Sequence, residues 1–150
     1  MTPPEQASTE QALAERVVSA MMVKDGFSSW LGIEIVTVRP RGATVRMTVR
    51  QDMVNGFGVC HGGVTYSLAD SALAFASNTH GRVTVSIENT ITYPKGVAVG
   101  DVLTATAEEE SGTNRLAFYR VKVTKAPEDV VALFTGTVYK TQQAFFPDEE

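Results

Sequence analysis

Cysteine is almost missing from this chain: of 150 residues only Cys60 carries a thiol. That excludes an internal disulfide and fits a reducing compartment, so the cytoplasm is the expected location. Histidine is nearly as scarce, with only His61 and His80, nineteen positions apart. One thiol and two distant imidazoles do not make a zinc site, so the reading includes no metal and no cofactor. There is no excess of basic residues, 13 against 17 acidic ones, and the net charge of −4 gives no general pull toward nucleic acid or an anionic membrane. No apolar run approaches the ~18 residues of a membrane-spanning helix. Met1 to Glu10 is polar and acidic, unlike a secretory signal. A phosphate-binding Gly-x-x-x-x-Gly-Lys run, internal repeats and low-complexity segments are all lacking.

A hydrophobic content of 43% with 20% charged residues is ordinary for a globular protein, and 150 residues suffice for a core. One domain over 1–150 is expected. Leu13, Val17, Val18, Met21 and Met22 recur at helical spacing in an N-terminal helix over about 5–24, ended by Asp25-Gly26. Trp30 to Val38 and Ala43 to Arg50 read as strands around the turn Arg39-Pro40-Arg41-Gly42. Arg82 to Tyr93, Asp101 to Glu110, Leu116 to Thr124 and Val130 to Lys140 read as four more at hairpin-type spacing, with Val83, Val85, Ile87, Asn89, Ile91 and Tyr93 on one face. Gln142 to Glu150 reads as a flexible acidic tail. The class is α+β, an antiparallel sheet wrapped around a long central helix, with edges and apolar surface that a second subunit could cover.

That central helix is the apolar run Val64 to Thr79, whose only formal charge is Asp70. Alanines and leucines favour helix there, and a helix apolar on most faces is a buried one. A lone carboxylate in such a helix is costly unless it is paired or its proton affinity shifts. Asp70 is therefore either a loop-capping or solvent-facing residue, or a reacting group. Gly62 and Gly63 stand at the helix start, where N–H groups lack intrahelical partners and no side chain keeps a ligand away. Together these features resemble an oxyanion hole and a general base or nucleophile. Eight residues of helix separate Gly62 from Asp70 by ~12 Å, too far to touch one carbonyl carbon. If the two cooperate, they come from different copies of the helix, paired about a two-fold axis.

Met53-Val54-Asn55-Gly56, Cys60-His61-Gly62-Gly63 and Ser67-Leu68-Ala69-Asp70 resemble the signature of hotdog-fold acyl-CoA thioesterases, more narrowly the PaaI-type enzymes of phenylacetic acid degradation. The likeness continues through Asn78-Thr79-His80-Gly81, Tyr93-Pro94-Lys95-Gly96, Gly100-Asp101-Val102-Leu103 and Ala132-Leu133-Phe134-Thr135-Gly136, roughly residues 28–140. The resemblance implies Asp70 as catalytic carboxylate, either nucleophile or base, and Gly62 as oxyanion-hole donor. It implies His61 as orienting group, Asn55 as holder of the water or of Asp70, and Gly63 and Ser86 (or Thr84) as substrate-binding. It further implies a coenzyme A thioester substrate of the (hydroxy)phenylacetyl type, and a homotetramer, a dimer of dimers, with sites between subunits.

Rival readings attach to the same residues. A Cys60 nucleophile is disfavoured because adjacent residues do not face each other and no third group orients the pair. His61 alone reads as a structural hydrogen-bonder, Asn55-Gly56 as a turn, and Phe57, Tyr66 and Phe75 as core or aryl pocket. A hotdog hydratase or dehydratase would carry Asp-x-x-x-x-His, but the next histidine after Asp70 is ten residues on. A non-catalytic acyl-CoA-binding module would keep the tunnel without needing Asp70.

Overall fold

In the computed structural model, which describes residues 1–149, the first helix, α1 (Pro3–Lys24), opens at a reciprocal cap. The Thr2 hydroxyl accepts from the Glu5 N–H at 3.4 Å, and the Glu5 carboxylate accepts from the Thr2 N–H at 2.7 Å. The helix buries Ala14, Val17 and Val18. It starts two residues before the expected Glu5 because prolines are accommodated in a first turn.

The strand expected from Trp30 starts later. A short helix, α2 (Gly26–Leu31), comes first, its start capped by the Asp25 carboxylate, which accepts from the Ser28 N–H at 2.9 Å and the Ser28 hydroxyl at 2.6 Å. Six residues are too few to display a helical period, which is why the run resembled a strand. Strands β1 (Glu34–Arg39) and β2 (Gly42–Thr48) then pair across the turn, with Ala43, Val45 and Met47 of β2 buried. The central helix, α3 (Gly62–Asn78), is followed by Gly81 at φ 89°, which turns the chain into β3 (Arg82–Thr92). Strands β4 (Val102–Gly112), β5 (Leu116–Ala126) and β6 (Asp129–Ala144) complete the sheet.

All pairings are antiparallel, in the order β1-β2-β4-β5-β6-β3. Hairpin spacing holds for β4 to β6 but not for β3, which pairs with β6 at one margin while β4 pairs with β2. α3 lies across one face of this sheet, against β2 through β6. Its Leu68, Ala69, Ala72, Leu73, Phe75 and Ala76 meet Leu103, Ala105, Tyr119, Val121, Val123 and Phe134, all buried. Small residues along the helix let its backbone approach the strands closely, so the core is dense.

Two further expectations are corrected. β6 runs to Ala144, and beyond it the Phe145 N–H donates to the Gly81 carbonyl while the Arg16 guanidinium lies 4.6 Å from the Phe146 ring centre. The expected tail from 142 is thus strand to Ala144, then anchored aromatics and a single 3-10 turn over Pro147–Glu149; residue 150 lies outside the described residues. The single face expected for β3 is broken as well. The register against β6 slips between Ser86 and Glu88, leaving Ile87 as an extra residue. Thr84 points inward before this bulge and Asn89 and Ile91 after it, while Val85 and Ile87 are exposed.

Candidate active site

The loop before α3 is held by its own backbone. The His61 N–H donates to the Met53 carbonyl and the Cys60 N–H to the Val97 carbonyl, both at 2.8 Å. The Asn55 carboxamide oxygen accepts from the Phe57 N–H at 2.9 Å and the Val59 N–H at 3.4 Å, so it shapes its own turn. Phe57 stands 93% exposed at the tip of that turn.

At the head of α3, His61 is the capping residue. Its Nδ1 accepts from the Gly63 N–H at 2.9 Å, so Gly63 spends its donor within the cap. The Gly62 N–H meets no acceptor among the described residues, and the Gly62 carbonyl accepts from the Tyr93 hydroxyl at 2.9 Å. A Cβ on Gly62 would come within 3.3 Å of the Tyr93 ring, so this glycine lets the ring close over the helix start. Burial raises the Tyr93 phenol, which therefore stays protonated and donates. The Cys60 thiol is buried, is raised by that burial, and lies 3.9 Å from the Thr65 hydroxyl. With His61 Nδ1 already in use, it has the surroundings of a packed thiol.

Two turns along, Asp70 is half-buried. Burial raises its carboxyl above the usual range, and a hydrogen bond from Asn89 works in the opposite direction. Asn89 Nδ2 donates to Asp70 Oδ1 at 3.4 Å and to the Tyr66 hydroxyl at 3.0 Å, and Asn89 Oδ1 accepts from the Ser86 hydroxyl at 2.7 Å. Tyr66 and Asp70 are four residues apart on α3 and share its half-buried strip. Asp70 Oδ2 has no hydrogen-bond partner among the described residues. Ser86 thus reaches Asp70 only through Asn89, while Thr84 is buried elsewhere, its hydroxyl 3.2 Å from His80 Nε2.

Within one protomer, then, His61, Gly62 and Gly63 gather at the helix start with Tyr93. Asp70, Asn89, Tyr66 and Ser86 gather halfway along, and Asn55 stays with its loop. Sequence reasoning passed over Asn89, Tyr93 and the polar contact of Tyr66. The available signal was a lone carboxamide in the otherwise apolar alternation Val83, Val85, Ile87, Asn89, Ile91 and Tyr93. Phe75 is wholly core, at 0% exposure. The Arg82 guanidinium donates to the Thr141, Asn114 and Lys140 carbonyls, and Lys95 is paired with Asp129.

Residues 57–132 match the thioesterase superfamily. The chain is 36% identical over 121 residues to acyl-coenzyme A thioesterase PaaI of Escherichia coli, covering 81% of this chain and 86% of that protein. It is 33% identical over 129 residues to human acyl-coenzyme A thioesterase 13, covering 83% and 91%. In three dimensions it matches the E. coli PaaI protein from the phenylacetic acid degradation operon with a TM-score of 0.87 at 34% identity, over 89% of this chain and 97% of that one.

Proposed function

Because the chain belongs to the thioesterase superfamily, as a thioester hydrolase of hotdog fold, we propose that it cleaves aryl- or hydroxyaryl-acetyl-CoA thioesters with Asp70 as the reacting carboxylate. The observation that carries this reading is Asp70 itself, a raised carboxyl on the central helix with one oxygen held and the other uncommitted. Hydrolysis adds water's hydroxyl to the acyl carbon, breaks the C–S bond, and returns the proton to the departing CoA sulfur. Negative charge gathers on the carbonyl oxygen on the way, and the Gly62 N–H is the donor suited to it. His61 fixes the geometry of that helix start through Gly63, and Asn55 shapes the loop leading to it. Ser86 and Gly63 border the acyl path.

Gly62 and Asp70 of one helix are ~12 Å apart, so the complete site needs Gly62 of one protomer beside Asp70 of another. The β3 margin supports such an assembly: its outer ladder is open and Val85 and Ile87 are exposed on it. A dimer of such dimers would bury the remaining apolar sheet surface. The aryl preference follows the E. coli PaaI likeness, since fold alone does not choose an acyl group.

Release of free CoA thiol from a panel of aryl- and alkyl-CoA thioesters tests the substrate class; faster turnover of straight-chain esters would overturn the aryl preference. Asp70→Asn should lower kcat by about a hundredfold to ten-thousandfold while the protein stays folded. A single turnover in isotope-labelled water separates the two roles of Asp70. Label in the enzyme's carboxylate means covalent attack; label in the free acid alone, with no acyl-enzyme trapped by hydroxylamine, means water activation.

A further inference from the structure

We propose that Asn89 is the positioning residue for Asp70, turning its carboxylate so that Oδ1 is held and Oδ2 faces the reacting carbon or water. The inference rests on Asp70 being the reacting group. Asn89 spends both N–H bonds on one side, to Asp70 Oδ1 and the Tyr66 hydroxyl, and its oxygen on the other, to the Ser86 hydroxyl. Rotating the amide by half a turn would set its oxygen against the carboxylate, so the charge on Asp70 and the Ser86 donor select the same orientation.

Three features of the fold exist around this contact. The bulge at Ile87 brings Ser86 and Asn89, three residues apart, to the same side of β3, where a regular strand would send them to opposite faces. Directly across the ladder, Asn89 faces Gly136 of β6. A Cβ at Gly136 would lie 2.8 Å from Asn89 Oδ1 and 2.6 Å from Leu73 Cδ2, so only glycine leaves the carboxamide this place. Tyr66, one turn before Asp70, is itself fixed edge-on against Phe134 at 5.4 Å between ring centres. The 3.4 Å Asn89–Asp70 bond is long, and bonds of this kind shorten once substrate excludes water.

The test compares Asn89→Leu and Asn89→Asp with the natural protein, alone and combined with Asp70→Asn, and uses Ser86→Ala to free the amide. Asn89→Leu should lower kcat by about tenfold to a hundredfold with little change in KM, as misplacement of a reacting group does. The acid limb of its pH–rate profile should move to higher pH, because the carboxylate loses its donor. Asn89→Asp, nearly the same shape, should move that limb further by adding a like charge, and Ser86→Ala should shift it least. In the Asp70→Asn background Asn89→Leu should cost nothing more.

Losses that multiply in the double variant, or an acid limb unmoved in both Asn89 variants, would overturn the proposal. If Asn89→Leu does not fold, Asn89→Asp and Ser86→Ala decide through the same profile. Full activity in Asp70→Asn alone would instead refute the reading of Asp70 beneath it.

Discussion

Protonation of Asp70 silences it as either base or nucleophile, so activity must fall as pH drops through its raised pKa. The limb of kcat/KM against pH should therefore lie above the ordinary carboxylate value of 3.8. The same burial affects stability with the opposite sign. A carboxyl whose folded pKa is raised favours folding when neutral, and that contribution is lost as pH rises through the folded value. Asp70→Asn should thus unfold at a temperature a few degrees higher than the natural protein at neutral pH, with the gain fading in acid; a lower melting temperature at neutral pH would contradict it.

His80 behaves differently. Burial, with Lys140 and Arg82 nearby, pushes it down to about 4 from 6.5. Its Nδ1 accepts from the Arg82 N–H at 3.2 Å, so a proton there would face a donor. Between pH 6.5 and about 4 the unfolded chain binds a proton that the folded one refuses, and stability falls as pH drops through that window. His80→Gln should flatten that decline, by no more than about 3 kcal/mol, as read from urea unfolding at a series of pH values.

Each end of the site depends on how an element begins or bends. Gly62 is the first residue of α3, and His61 before it is extended at φ −61°, ψ 132°. Both positions suit proline, which fits a helix start and lacks an N–H. Gly62→Pro should therefore keep the helix, and because its Cβ presses on the Tyr93 ring as that of Gly62→Ala does, the comparison is with Gly62→Ala. The proline should lower kcat by about a further hundredfold to a thousandfold, on the order of one oxyanion-hole donor; equal turnover in the two variants would remove Gly62 from the oxyanion hole. On β6, Gly136→Ala should destabilise the fold by about 1–3 kcal/mol through crowding at Leu73 and Asn89, measured by chemical unfolding.

Element by element, what could be read in the sequence depended on period and length. α3 and the inner faces of β2 and β5 were legible because their alternation or helical apolarity runs unbroken over several residues. α2 was too short to show a period. β3 was misread because one extra residue, Ile87, switches its face midway, and nothing local marks that slip. For the same reason Asp70 and the glycines of the site could be named in advance, whereas Asn89 showed only as a carboxamide out of place in an apolar alternation. Its role exists only where a bulge, a glycine on another strand and a tyrosine on the helix meet.

At the scale of the molecule, a shared site makes a prediction that no single protomer can satisfy. Asp70→Asn and Gly62→Pro proteins, each nearly inactive, should regain activity when unfolded together and refolded as a mixture. A mixed pair holds one site with both natural residues, so about a quarter of the original rate should return. No recovery, with mixed pairs present by mass, would place both groups in separate chemistry.

The order of the strands was beyond sequence reasoning because it is a matter of long-range pairing. β3 precedes β4 and β5 in the chain yet finds its ladder only on β6. During synthesis, every group assigned here to the reaction leaves the ribosome well before the one strand that can hold β3 in register. Until that last ribbon arrives, Asn89 has no floor beneath it, and a nascent chain stopped at residue 128 would carry the whole chemical kit without the means to aim it.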